Sequence, residues 1–461
     1  MSENRIVIAG TNSGCGKTTV TIALLAALKK RNLSVQPFKA GPDYIDTMFH
    51  TFVTEQKGRN LDSYLLEEDI LSFLFQKNSE NADISVIEGV MGLYDGVGIT
   101  SEASTAHIAK SLKAPVILIV DAKGTSLSIA AVIKGFIEFD KQVYIKGVIF
   151  NGIKTESQYL LLKQIVEENT DIEVLGYLPY HEAFILESRH LGLITAYEIE
   201  ELSQKIEFLA GEAEKHIAID KIMELASNSV ALEKNWTFPK ELYNKYEGLT
   251  IGVAYDEAFC FYYNDNLDLL NMMGIKIASF SPIRSKKLPT GISGLYIGGG
   301  YPELYAEKLE QNEALRKEIK NLAENNFPIF AECGGLMYLT EKIKTNEKME
   351  YEMVGALQGK CEMTKKLNHF GYIELETTEN NCISEKGSLI KAHEFHYSKE
   401  SIKDEICLQS IKKRKDKEDT KWESGYCYKN VTACYPHIHF WSNIHFLETF
   451  LENCKRSHAN C

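Results

Sequence analysis

No apolar run in the chain approaches the ~20 residues that a membrane-crossing helix needs, so a membrane-spanning protein is not expected. A basic excess is also missing: 51 Lys and Arg stand against 64 Asp and Glu, a formal net charge of −13. A general nucleic-acid binder needs a positive footprint to neutralise phosphates, so no nucleic-acid partner is expected. A local positive site for an anionic ligand needs no such footprint. The ten cysteines are sparse, biased to the C-terminal half, and include no CxxC pair. That excludes a disulfide framework and fits a reducing compartment. The opening MSENRIVIAG lacks the basic and apolar regions of a signal peptide, so a cytoplasmic location is expected. No internal repeat recurs at a fixed period. What is present is ordinary for a folded protein: 44% hydrophobic and 25% charged residues over 461 positions. At ~150 residues per domain this length suggests two or three domains.

Short apolar runs alternate with helix-like stretches through the first 180 residues or so. Candidate strands are Ile6–Ala9, Ile84–Ile87, Val116–Val120 and Val148–Phe150, with an amphipathic helix over Thr18–Lys30. This rhythm predicts an α/β fold with a mostly parallel sheet flanked by helices. Residues 195–247 are Glu- and Lys-rich with helical periodicity over Tyr197–Ala226, and read as a helical connector. A second α/β alternation begins at Leu249–Ala254 and continues through Gly294–Gly298 and Pro328–Ala331. The expected division is therefore 1–194, 195–247 and 248–461. The mixed-charge run KKRKDKEDTK, residues 412–421, reads as a solvated loop or hairpin.

Residues 10–19 read GTNSGCGKTT, after a strand and before a helix. Gly14 and Gly16 let successive N–H groups turn toward phosphate oxygens, and the helix start adds its positive end. Lys17 offers a mobile charge to the β- and γ-phosphates, Thr18 a hydroxyl for Mg²⁺, and Thr19 completes the GKTT ending. The strict GxxxxGK[ST] spacing is not met, because Gly10 lies one residue early and Thr11 holds the first position. Glu88, ending the strand in SVIEG, is the candidate for the metal or its water. Asn151, after the strand IKGVIF, either reads adenine with its amide or occupies a turn. In FKAGPDYID, residues 38–46, Asp43 and Asp46 either orient Mg²⁺ and substrate or serve the Pro42-Asp43 turn.

Residues 328–335, PIFAECGG, run an apolar strand into Cys333, two glycines and a helix-like segment. A tight strand-to-helix turn exposes a nucleophile, and the helix start is expected to lower its thiol pKa. Gly334 N–H is placed to face an oxyanion. A nucleophilic Cys needs a His base brought near in space, and YPHIHFW supplies His437 and His439. Strand alternation predicts that both histidines share one face. The glycines of IGGGYPE, 297–303, offer a second bare-backbone oxyanion donor at Gly299, or form a strand-ending turn.

These motifs, with NLD (60–62), VIEGVMGLYDG, ESRHLGL (187–193), DEAFCFYYNDNLDLL (256–270), ECGGLMYL and HEFHYS (393–398), resemble the cobyrinic acid a,c-diamide synthase family in kind and order, from about Arg5 to Phe446. The P-loop variant is also similar to that of dethiobiotin synthetases. The resemblance implies a P-loop NTPase-like domain followed by a class I glutamine amidotransferase-like domain. It implies amidation of two acetate side chains of a corrinoid, with ATP, Mg²⁺ and glutamine as partners and an acyl-phosphate intermediate. Carried onto this chain, Cys333 is the nucleophile and His437 its base, with Gly299 and Gly334 as oxyanion donors. Gly14, Gly16, Lys17, Thr18, Thr19 and Asn151 bind nucleotide; Thr18, Glu88 and Asp43 hold metal; Asp43 and Asp46 border the acyl phosphate. Two departures stand out. His439 occupies the place two after His437 where ordinary triad amidotransferases carry Glu, and Ala392 precedes HEFHYS where the family has Gly. The same chemistry on nickel-sirohydrochlorin or hydrogenobyrinate fits these motifs as well. A P-loop switch ATPase would explain the first half but leave ECGG and YPHIHF without a role.

Overall fold

A computed structural model describes residues 3–181, 196–414 and 418–459. The ESRHLGL motif lies outside the described residues. The chain divides into two units, Met1–Thr237 and Phe238–Cys461.

The first unit alternates strands and helices: β1 (Arg5–Gly10), α1 (Lys17–Lys30), β2 (Val35–Ala40), α2 (Ile45–Thr54), β3 (Arg59–Leu61), α3 (Glu68–Ser79), β4 (Ile84–Glu88), α4 (Thr105–Ser111), β5 (Val116–Asp121), α5 (Ser128–Phe139), β6 (Ile145–Ile153), α6 (Glu156–Asn169), β7 (Glu173–Pro179), α7 (Ala196–His216) and α8 (Ile219–Ser227). All seven strands are parallel, in the order β3-β2-β4-β1-β5-β6-β7. β1 is buried along its whole length, as its β-branched run RIVIAG requires of a strand covered on both faces. Because the strands are parallel, the loops after β1, β2, β4 and β6 open at one edge of the sheet, where such folds bind ligands. The phosphate loop, the FKAGPDYID loop, Glu88 and Asn151 are on that edge.

The stretch expected as a connector is helical over α7 and α8, and both helices are built into the core of this unit. Leu209, Ala210, Ala213, Ile219, Ile222 and Ala226 join one buried cluster with Leu24, Leu25 and Leu28 of α1. Arg31 grips Glu214 with two bonds, Nε at 2.7 Å and an outer nitrogen at 2.8 Å, and reaches Asp220 at 2.6 Å. The connector's remaining residues, from Phe238, fall in the second unit.

The second unit contains β8 (Thr250–Ala254), α9 (Asn264–Met272), β9 (Lys276–Phe280), β10 (Gly294–Ile297), α10 (Ala306–Gln311), α11 (Glu313–Glu324), β11 (Ile329–Glu332), α12 (Gly334–Leu339), β12 (Lys342–Lys344), β13 (Glu350–Glu352), β14 (Lys360–Met363), β15 (His369–Thr377), β16 (Leu389–His396), β17 (Ser398–Glu400), β18 (Glu405–Lys412), β19 (Thr420–Tyr428), β20 (Val431–Cys434), β21 (His437–Ile438) and α13 (Ile444–Ala459). Its main sheet runs β21-β16-β15-β18-β19-β20-β11-β10-β8-β9. From β9 to β20 the pairings are parallel. Beyond β20 they are antiparallel, so the parallel core carries an antiparallel extension. The mixed-charge run connects β18 to β19, as a hairpin reading of it requires. Strands β13-β12-β14-β17 form a smaller sheet. Among the described residues no helix is long and apolar enough to cross a membrane, and every cysteine is unpaired.

Candidate active sites

In the first unit the loop after β1 curls through Gly14 and Gly16, whose φ angles are +80° and +91°. Both lie in the left-handed region that only glycine enters without strain. Gly16 directly precedes α1, so the helix starts where the motif predicts, at Lys17. A Cβ on Gly16 would stand 1.9 Å from the Asn151 amide nitrogen. That amide donates to the Cys15 carbonyl at 3.0 Å, so Asn151 braces the loop. The loop opens on a cavity of about 650 Å³ lined by Gly14, Gly16, Lys17, Thr18, Thr19, Asp43, Asp46 and Asn151 among others. Eight of the expected site residues are thus brought together.

The ninth, Glu88, lies behind the cavity as the hub of a buried polar cluster. Its Oε1 accepts from the Thr18 hydroxyl at 2.6 Å and from Lys39 Nζ at 2.9 Å. Its Oε2 lies 2.7 Å from His50 Nε2. Lys39 Nζ also pairs with Asp46 at 2.5 Å. Complete burial would push Glu88 up, but Lys39, His50 and the Thr18 hydroxyl overcome it and hold the carboxyl well below its usual range. Burial and the Glu88 charge push Asp46 up to about 6, against the pull of Lys39. Burial also lowers Lys17, whose Nζ reaches only the Asn12 carbonyl at 3.5 Å. The Oδ1 of Asp43 accepts from the N–H groups of Ile45 and Asp46 at 2.8 and 3.0 Å, so its turn role is realised while the residue still lines the cavity.

Lys39 and His50 were not singled out by sequence. A lysine within the fully buried VQPFKA strand was the available signal; its partner 49 residues away was not. No cluster of three or more His, Cys, Asp or Glu side chains suited to a metal occurs among the described residues. A hydroxyl and a carboxylate 2.6 Å apart beside a phosphate loop nonetheless fit Mg²⁺, which takes one or two protein oxygens and completes its shell with phosphate and water.

In the second unit, β11 delivers Cys333 into a turn with φ +48° and ψ −102°, strained for a residue with a side chain. α12 begins at the next residue. This is the strand–nucleophile–helix elbow expected from ECGG. Backbone pairing fixes it, with Cys333 N–H donating to the Cys434 carbonyl at 2.7 Å. Glu332 Oε1 accepts from Ile438 N–H at 2.7 Å, which ties the elbow to the segment carrying His437.

The glycine turn after β10 closes around the elbow. A Cβ on Gly334 would stand 3.0 Å from Gly300 N and 2.9 Å from Pro302 Cδ, and one on Gly299 2.4 Å from the His437 ring. The glycine turn thus touches the elbow at Gly334 and His437 at Gly299. β21 ends at Ile438, so the alternation expected to carry both histidines together stops there. His437 lies over Gly299, whereas His439 packs on Tyr263 with ring centroids 4.6 Å apart. Burial lowers both histidines to about 3, with the charges of His393 and His396 adding to the effect at His437. At neutral pH His437 is an uncharged imidazole able to take a proton.

The expected lowering of the thiol pKa is not found. Burial, reinforced by Glu303, pushes Cys333 upward, and the Gly334 N–H opposes this only in part. The first turn of the six-residue α12 is outweighed by desolvation of the thiolate. HEFHYS, given no residue-level role by sequence, forms a wall near the site. His396 stacks on Tyr435 at 3.7 Å and meets Glu394 at 2.8 Å, and His393 pairs with His437 across β16 and β21.

Residues 6–194 match the CobQ/CobB/MinD/ParA nucleotide binding domain, and residues 250–444 the CobB/CobQ-like glutamine amidotransferase domain. A nucleotide-binding P-loop unit followed by a Cys-elbow amidotransferase unit defines a glutamine-dependent amide ligase. Across nearly its whole length the chain is similar to proteins named cobyrinate a,c-diamide synthase. The one from Caldanaerobacter subterraneus subsp. tengcongensis is 45% identical over 450 residues, 97% of this chain and 98% of the relative. That from Listeria innocua is 45% identical over 442 residues, 95% and 97% of the two chains. That from Limosilactobacillus reuteri is 43% identical over 456 residues, 97% and 98%. The chain belongs to the cobyrinate a,c-diamide synthase family.

Proposed function

We propose that the chain converts the a and c acetate carboxylates of the corrinoid cobyrinate into amides, using ATP and glutamine. The observation that carries this reading is the elbow at Cys333 with His437 over Gly299, on the same chain as the Lys17–Glu88 phosphate cavity. A free carboxylate is a poor electrophile, and its mixed anhydride with phosphate is a good one. In the first unit a substrate carboxylate oxygen attacks the γ-phosphorus of ATP, giving an acyl phosphate and ADP. Lys17 and the N–H groups around Gly14 and Gly16 balance the phosphate charge, with Thr19 and Asn151 on the nucleotide side. Asp43 and Asp46 border the acyl phosphate. Thr18, Glu88 and Asp43 would hold Mg²⁺, which supplies charge neutralisation at the phosphates when bound.

In the second unit Cys333 Sγ attacks the glutamine amide carbon while His437 takes the thiol proton and passes it to the departing ammonia. Gly334 N–H and the backbone at Gly299 face the oxyanion. Water then hydrolyses the glutamyl thioester to glutamate. Ammonia attacks the acyl phosphate, and inorganic phosphate leaves.

The test is turnover with cobyrinate, ATP and either glutamine or ammonium, read by mass as replacement of OH by NH₂ at two positions. Nickel-sirohydrochlorin and hydrogenobyrinate are run in parallel. Cys333→Ala should lose glutamine-dependent turnover and keep the ammonium-dependent reaction. Conversion of another ring but not cobyrinate would overturn the substrate. Full glutamine-dependent turnover by Cys333→Ala would overturn the amidotransferase assignment. ATP hydrolysis with no amide formed would favour a switch ATPase.

A further inference from the structure

Beside the nucleophile stands a carboxylate that the chemistry above does not use. Glu303 lies in the short 3-10 helix Pro302–Tyr305, three residues after Gly300. The residue before it, Pro302, approaches the position after Cys333, with Pro302 Cδ 2.9 Å from a Cβ built on Gly334. Of the carboxylates acting on the Cys333 thiol, Glu303 acts most strongly, ahead of the adjoining Glu332 and of Glu394. It is partly open to solvent, so a small molecule can reach it.

Glu303 takes part in none of the ion pairs found among the described residues, and its carboxyl meets its own backbone N–H. The lysine on the following helix, Lys308, lies over the Tyr305 ring instead, 5.6 Å from its centroid. Without a counter-charge, burial pushes the Glu303 carboxyl up to about 7. A half-buried carboxylate with no cation beside it can pair with the cationic group of a ligand.

We propose that Glu303 binds the α-ammonium of the glutamine whose side-chain amide is presented to Cys333. Glutamine is a zwitterion, and four bonds separate its amide carbon from its α-nitrogen, on the order of 5 Å. An acceptor for that ammonium must therefore lie a short distance from the nucleophile, and Glu303 follows the proline that packs against Gly334. The pair also supplies specificity: an amide without an α-ammonium leaves the carboxylate unmatched. This inference rests on the glutamine-hydrolysing role proposed for the Cys333 elbow.

The test compares the KM for glutamine with the inhibition constant of glutaramate, which keeps the amide and the α-carboxylate and lacks the α-amine. Glu303→Gln in the full-length chain should raise the glutamine KM about tenfold or more, while the glutaramate constant moves less than about twofold. Glu303→Asp should restore part of the glutamine affinity. It also serves as the test variant if Glu303→Gln does not fold, as judged by its melting curve. A glutamine KM within about twofold of wild type, or equal losses for glutamine and glutaramate, would overturn the proposal. Glutamine cleavage that survives Cys333→Ala would instead overturn the reading beneath it, whatever Glu303 does.

Discussion

Glu332, one residue before the nucleophile, is a buried carboxyl held by two hydrogen bonds: from Ile438 N–H at 2.7 Å and Tyr296 O–H at 2.8 Å. Burial outweighs both and pushes it up to about 8 from an ordinary 4.5. Between those values the folded chain binds more protons than the unfolded chain, so this group's contribution to stability falls as pH rises through the window. Glu332→Gln has no proton to lose. Its stability, followed by denaturant midpoints from about pH 5 to pH 8, should decline less than that of wild type across this range. Parallel curves would mean that Glu332 is ionised in the fold. At this scale sequence is legible where a motif fixes a residue's place, as with Lys17 and Thr18 at the start of α1 and Cys333 at the elbow. It is illegible where the task depends on a distant partner. Nothing local announces that His50 meets Glu88 at 2.7 Å, or that His437 rather than His439 lies over Gly299. The direction of the Cys333 pKa was misjudged for the same reason, since burial is set by the whole unit.

Gly176 shows the same dependence between elements. It lies in β7 with φ +128°, and a Cβ there would stand 2.0 Å from the His216 carbonyl at the end of α7. The backbone of β7 and the helix end therefore touch without room for a side chain. Gly176→Ala combines left-handed strain with overpacking, for which about 1–3 kcal/mol of destabilisation is expected. Chemical denaturation would register it, and a loss below about 0.5 kcal/mol would show that the contact yields freely. Periodicity read α7 and α8 as helices, since 3.6-residue spacing is local. That they complete the first unit's core is a tertiary fact carried by contacts such as Arg31–Glu214, 183 residues apart. The P-loop and the elbow were legible as whole elements, because strand, glycine turn and helix follow one another without interruption. The antiparallel extension of the second sheet was not, because strand direction depends on partners distant in sequence, such as Leu375 and Ser410 of β15 and β18.

On the scale of the molecule, the proposed function puts one chemistry on each of two units of one chain, and requires that an activated carboxylate meet ammonia. Neither half alone defines the reaction. P-loop units serve many ends, and in the proposed function the Cys elbow only releases ammonia. The carboxylate's own oxygen reports whether the halves cooperate as described. With the acetate carboxylates of cobyrinate labelled with oxygen-18, activation by ATP routes one labelled oxygen per amide into inorganic phosphate. This transfer is expected in the wild-type chain with either nitrogen source, and in Cys333→Ala with ammonium. Amide formation accompanied only by unlabelled phosphate would contradict it.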